Sequence, residues 1–320
     1  MTDIFAPYVA ILGRGPGRSR DLSQEEARTA FGMILQGEAA PEQLGAFMML
    51  LRYRGENPGT IAGLVAAARQ HAGLPAAGLV AELDWPSYGA GRTRGAPWFL
   101  LAALALAASG VRVCMHGSNE FGSGMSVVEA LARLGLAPAQ DIAQAAAQLR
   151  GDNFSYLPLG VLSPRLEELL ALRRLFGLRS PVNTLVRLLD PAGAAVGVDG
   201  VFHPPYIETH LGAAELLGRP KLLVIKGGGG EVERTPKKPV NAYVWQQEMG
   251  RSEYQFPAMA AQVEAEEPDI AAVWRGEAQA PLSVPATIAL GLLALGRAGS
   301  VEEADTMALA LWDARRATKI

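Results

Sequence analysis

Residues 224 to 240 read VIKGGGGEVERTPKKPV, and the side chains in that stretch allow two kinds of chemistry. Glu231 and Glu233, just behind Gly227, Gly228, Gly229 and Gly230, could hold a hydrated magnesium ion beside a phosphate, with the glycines letting the backbone come close. Lys226, Arg234, Lys237 and Lys238 could instead neutralise several phosphates of a longer polyanion, and Pro236 and Pro239 would limit the wandering of the lysine pair. Two spaced carboxylates are a poor magnesium site by themselves. Glu231 is therefore a weak metal candidate, and the pair reads first as acids on a solvated loop.

Other candidate chemistry is thinner. GAGRTRG, Gly89 to Gly95, has one residue too many between its second and third glycines for a dinucleotide fingerprint, and no segment ends in the Gly-Lys-Ser/Thr of a phosphate loop. A tight strand-to-helix turn explains the same glycines. No serine or cysteine has a histidine at a recognisable spacing, and paired-cysteine and HExxH metal signatures are absent from the sequence. His116 and His203 read as core or loop histidines. Cys114, the single cysteine, lies in the apolar run VRVCM and reads as a buried packing thiol in a reducing compartment.

The elements that must carry these residues change character along the chain. Ser23 with Glu26 forms a capping box ahead of Ala30, Phe31, Ile34 and Leu35. Pro41 opens a second helix with Leu44, Phe47, Met48 and Leu51 on one face, and a third follows Asn57-Pro58 with Ile61, Leu64, Val65 and Ala68. So small a bundle buries little alone, and the reading expects Phe47 and Leu51 to face a larger domain or a second subunit. From about Leu79, short apolar runs alternate with helical stretches, the pattern of an α/β domain. LVAEL, VRVCM and KLLVIK read as strands, each followed by a glycine loop, and parallel strands gather such loops at their carboxyl ends. The expected fold is α/β: a small helical bundle over residues 1–75, joined by helices from about 165–190, and a larger domain over 76–320 with a mainly parallel central sheet.

Composition, with 49% hydrophobic and 19% charged residues, is that of an ordinary globular chain. The net charge of -3 is unevenly spread: residues 150–238 hold 12 Arg/Lys against 9 Asp/Glu, whereas 245–277 hold 2 against 7, so the basic excess is local. The apolar run Ala96–Ala108 is about 13 residues, short of the ~20 a membrane helix needs. A cytoplasmic protein with no membrane partner is expected.

The order of motifs resembles a known family. DLSQEEARTAFGMILQGEAAPEQLGAFMMLLRYRGENPGTIAGL is similar to the N-terminal helical domain of the anthranilate phosphoribosyltransferase and nucleoside phosphorylase family, glycosyltransferase family 3, and the likeness runs to about residue 300. KGGGGEVERTP further resembles the YbiB-like subgroup, which keeps the fold and binds nucleic acid. The family cradles phosphoribosyl diphosphate with GTGGD and NIST; the matching positions here are SYGAG, Ser87 to Gly91, and PWFL, Pro97 to Leu100. Where the family carries KHGN and an arginine, this chain has Met115, His116, Gly117, Ser118 and Asn119, and where it carries two magnesium-binding acids, Gly230 and Glu231. The resemblance thus implies a degenerate phosphate cleft around Gly89, Gly91, Arg92, Arg94, His116, Gly117, Ser118, Asn119 and Asn183. SPRLEELLALRRLFGLRSPVNTLVRLLDP retains the anthranilate-side pattern in Arg173, Arg179, Asn183 and Pro191 and adds Arg165, Arg174 and Arg187. These arginines are implied to line a groove.

Displacing pyrophosphate from a sugar needs the leaving group's charge neutralised, and several of the donors that would do so are lost. The implied function is a sequence-nonspecific homodimer, paired through the helical domain, that binds DNA and/or RNA with no catalytic residues and no cofactor beyond a weak Mg²⁺. The alternative is a pentosyltransferase, phosphoribosyl or nucleoside, with an altered phosphate site.

Overall fold

A computed structural model describes residues 3–89, 95–118, 122–259 and 267–315. The chain opens with helices α1 (Ala6–Gly13), α2 (Gln24–Gln36), α3 (Pro41–Arg54) and α4 (Pro58–His71). The capping box forms: the Glu26 amide donates to Ser23 Oγ at 3.2 Å and the Ser23 amide to Glu26 Oε2 at 2.8 Å. Asn57 caps α4 with a single bond, its Oδ1 accepting from the Thr60 amide at 2.9 Å.

Phe47 and Leu51 are buried within the single chain, in a core that the bundle shares with larger-domain residues such as Val201, Leu222 and Val224, and Phe47 lies edge-on to Phe5 with ring centroids 5.5 Å apart. Truncating such a phenylalanine costs about 3–5 kcal/mol. A charge at Phe47 would therefore unfold the bundle before it tested any interface. The sequence showed which face of α3 is apolar and not which neighbour covers it.

The rest of the chain builds a seven-stranded sheet among the described residues, in the order β3-β2-β1-β4-β5-β6-β7. β1 (Leu83–Ser87), β2 (Val113–Gly117), β3 (Phe154–Pro158), β4 (Val196–Val201) and β5 (Lys221–Lys226) run parallel; β6 (Val240–Gln246) and β7 (Gly250–Phe256) continue as an antiparallel hairpin. LVAEL is not the first strand. β1 starts at its last residue and runs through Trp85-Pro86, where the proline had disguised it. β2 likewise begins two residues into VRVCM.

Alternation along the strands feeds two cores. Leu223 and Ile225 join α5 (Trp98–Ala108) and the later helices, whereas Leu222 and Val224, one residue out of phase, join the helical bundle. With both faces covered, the strand reads as the continuous apolar run KLLVIK. Beyond α5 come α6 (Val127–Arg133), α7 (Ile142–Gly151), α8 (Leu159–Leu162), α9 (Pro164–Ala171), α10 (Arg173–Phe176), α11 (Val182–Leu185), α12 (Pro205–Leu216), α13 (Ile270–Arg275), α14 (Ser283–Ala294) and α15 (Val301–Ala314). Residues of α9, α11 and α12 share the core of α1–α4, so the bundle is completed by segments far along the chain. Cys114 is fully buried on β2, and burial pushes its thiol up. No helix among the described residues is long and apolar enough to cross a membrane.

Candidate functional site

At the carboxyl ends of the parallel strands, the chain leaves β1, β2, β4 and β5 in loops that touch one another. The Ser118 amide reaches Ser87 O at 3.3 Å, and the Gly89 amide donates to the Glu231 carboxylate. The glycine loops are thereby brought together, as far as they are described; Gly91, Arg92, Arg94 and Asn119 lie outside the described residues.

The four glycines after β5 have structural work of their own. A side chain at Gly227 or Gly200 would run into the Glu231 backbone, and Gly229 and Gly230 take φ of 63° and 84°, where a Cβ is strained. The amides of Gly227, Gly228, Gly230 and Glu231 bond to Val201, Glu233, Gly227 and Gly228 oxygens. The turn is thus folded on itself, with those donors spent inside the protein; the expectation that they face a phosphate is corrected.

Arg234 is corrected more sharply. Its guanidinium is fully buried, paired with Asp305, donating to Pro257 O at 2.8 Å and stacked 4.4 Å from the Phe256 ring centroid. It ties the post-glycine segment to α15 and offers nothing to solvent. Lys226, Lys237 and Lys238 are exposed. Arg165 sits on the bundle, bonded to Glu168 at 3.0 Å and Ile34 O at 3.2 Å, and it does not line the cavity described next.

That cavity, about 330 Å³, lies between α3, the α10–α11 segment, the end of β4, α12 and the glycine turn. Arg173, Arg179, Arg187 and Asn183 reach it, together with Arg52, Tyr88, Phe202 and Tyr206, which sequence reasoning missed. Arg174 lies instead beside Ser118 and Glu167, along a neighbouring groove. Arg187 is a brace: it donates to Asp199 Oδ1 and Gly200 O at 2.9 Å and to Gly230 O at 2.7 Å, holding the glycine turn against β4. Asn183 caps its own turn, accepting from the Ser180 amide at 3.1 Å. Burial opposes charge on Asp199, yet His210 and Arg187 together hold its carboxyl below the ordinary range.

His116 is a core residue. Its Nδ1 meets the Tyr88 hydroxyl at 2.8 Å and its Nε2 meets Asp84 at 3.2 Å, with Arg219 behind Asp84 at 2.9 Å. Burial above all raises the Tyr88 hydroxyl well beyond its usual value, so Tyr88 stands as a fixed, neutral wall of the cavity. His203, by contrast, is exposed at the cavity. Gly117 has no room for a side chain against Ser87 O, and Ser118 Oγ is bonded to Glu167 at 2.8 Å.

On the other side of the glycine loops, three carboxylates cap backbone donors. Glu231 accepts from Gly89, Glu233 from the Phe99 amide at 3.2 Å, and Glu267 from the Ala96 amide at 2.7 Å and the Trp98 indole at 3.1 Å. The start of α5, favourable to anions by its dipole, already holds the protein's own acids. The residues here do not fit a magnesium–diphosphate pair: Glu231 is committed to Gly89, its neighbour Gly230 has no ligand atom beyond the backbone, and no group of three His, Cys, Asp or Glu is poised for a metal among the described residues.

The helical bundle domain of the glycosyl transferase family matches residues 7–72, and the α/β domain of that family matches residues 99–307. The chain is 29% identical to the YbiB protein of Escherichia coli (strain K12), covering 93% of this chain and 97% of that protein. It is 30% identical to the anthranilate phosphoribosyltransferase of Gluconobacter oxydans (strain 621H), covering 91% of this chain and 78% of that one. The crystal structure of anthranilate phosphoribosyltransferase from Thermus thermophilus superposes with a TM-score of 0.77 over 99% of this chain and 96% of that one, at 23% identity, which is a likeness of fold. With both domains matched in order and the sheet and bundle in the same arrangement, the chain belongs to glycosyltransferase family 3 and is built on the anthranilate phosphoribosyltransferase-like scaffold.

Proposed function

We propose that the chain is a sequence-nonspecific nucleic-acid-binding homodimer that performs no phosphoribosyl transfer to anthranilate. The observation that carries this reading is the division of charge across the cleft. Between the end of β1 and the start of α5, where the family resemblance implies a diphosphate, Glu231, Glu233 and Glu267 occupy the amides of Gly89, Phe99 and Ala96. Three carboxylates there repel a diphosphate and use up its donors. Across the glycine turn, Arg52, Arg173 and Arg179 line the cavity, and Lys226, Lys237 and Lys238 are exposed on the segments before and after the turn. A nucleic-acid backbone requires only repeated cations and no reacting geometry.

The test is a salt titration of oligonucleotide binding with Lys226, Lys237 and Lys238 replaced by alanine. The slope of log affinity against log salt is expected to flatten by about 0.7–0.9 per lost phosphate contact, equally for all sequences. A parent that binds no oligonucleotide at low salt overturns the reading. An unchanged slope removes these lysines from the contact.

The dimer would use apolar groups that the bundle leaves outside, Tyr53 at 91% and Leu175 at 82% exposure. With both changed to aspartate, sedimentation is expected to show monomers, and oligonucleotide affinity to fall through lost avidity. A parent that sediments as a monomer removes the dimer.

The second reading, pentosyl transfer with an altered phosphate site, is favoured by the Tyr88–His116–Asp84 chain, which brings a proton donor to the cavity wall. It predicts turnover lost in Tyr88→Phe.

A further inference from the structure

Two of the cavity's arginines have their counter-ions inside the protein: Arg52 is 3.7 Å from Glu56, and Arg187 is 2.9 Å from Asp199. Arg179, half-buried between α10 and α11, has no carboxylate at ion-pair distance among the described residues. Burial, then the charges of Arg173, Arg187 and Arg52, push its guanidinium below the usual arginine range. A positive group held among positive groups in a cavity calls for an anion from outside.

We propose that the cavity receives the phosphorylated end of a nucleic-acid strand, the terminal phosphate monoester on Arg179 and the base of the end nucleotide against Phe202. The proposal rests on the nucleic-acid reading above and deepens it. Size comes first. At about 330 Å³ the cavity stands at the lower end of the roughly 300–1,000 Å³ common for small-molecule sites. That suits one nucleotide and not a strand running through. Depth agrees: Arg187, 8% exposed, bonds Gly200 O and Gly230 O at the bottom, whereas Phe202, 46% exposed, stands at the mouth.

Charge then selects an end over an internal linkage. A phosphate monoester carries about -1.5 to -2 charge and three acceptor oxygens near neutral pH, where an internal diester carries one negative charge, so a guanidinium cluster favours the monoester. Phe202 supplies the remaining contact. It lines the cavity, is 46% exposed and meets the His203 ring in a T-shaped contact with centroids 4.8 Å apart, and any base can stack on an exposed ring without a sequence code.

Fluorescence anisotropy with the full chain tests this, using short single strands of one sequence: with a 5′-phosphate, with a 3′-phosphate, with hydroxyls at both ends, and closed into a circle. One phosphorylated strand is expected to bind about tenfold more tightly than the hydroxyl-ended and circular strands, the effect of one charge-assisted contact. Arg179→Gln should remove that advantage, and Arg179→Lys should keep part of it. Phe202→Ala, at an exposed position that does not hold the fold, should weaken the phosphorylated strand several-fold. If all four strands bind equally tightly, end capture falls and the nucleic-acid reading stands; if none binds, both fall. Adenosine monophosphate is the last arm. Competition only at a large excess over the strand supports a strand end, and competition at strand-like concentrations assigns the cavity to free nucleotides and overturns the proposal.

Discussion

Incubated with anthranilate, phosphoribosyl diphosphate and magnesium, the purified protein is expected to release no measurable pyrophosphate. In the transfer reaction the leaving group carries the developing charge, and fixed donors with a metal stabilise it. Here the Gly89, Ala96 and Phe99 amides donate to Glu231, Glu267 and Glu233, and these donors would have to be surrendered before a diphosphate could enter. Losing one such donor costs about 10²–10³ in rate. Two losses take a typical ~10 s⁻¹ to ~10⁻³ s⁻¹ or below. Pyrophosphate release near ~10 s⁻¹ in a coupled assay would falsify this account of the cleft. Glu231→Gln is expected to stay silent too, since it restores neither the second acid nor the hydroxyls missing from Pro97 to Leu100.

Arg234→Ala is expected to destabilise the protein by about 3 kcal/mol, lowering Tm by roughly 4–5 °C, while leaving the salt slope of oligonucleotide binding unchanged. The change removes the partner of Asp305, a donor to Pro257 O and the group stacked on Phe256 in one step. Asp305 keeps some access to solvent, with 21% of its side chain exposed, which places the cost at the lower end for a broken buried pair. Thermal unfolding beside a salt titration checks both halves. A variant of unchanged Tm with a flattened salt slope would return Arg234 to the nucleic-acid contact. Lys237→Ala with Lys238→Ala is expected to do the reverse, since both side chains are exposed.

Local signals in this chain were read at the right places. The capping box at Ser23, the helix opened by Pro58 after Asn57, and the strand KLLVIK follow from contacts within a few residues and stand where expected. Charge by itself misled. RTPKK looks like a run of equivalent cations, yet Arg234 is fully buried and Lys238 is exposed, and the difference is set by Asp305 and Phe256 arriving from other parts of the chain. The glycines allowed either a phosphate cradle or a closed turn; the backbone of β4 at Gly200, packed directly under Glu231, decides for the turn.

Residue types and short-range spacing determined the fold class and the bundle's apolar faces, because each depends on neighbours a turn or a strand away. Tertiary structure alone decided which charges face solvent and which acids sit on α5. Those partners lie 134 to 171 residues apart: the gathered carboxyl ends of the parallel strands bring Glu233, beyond β5, to the Phe99 amide, and the segment ahead of α13 brings Glu267 to the Ala96 amide.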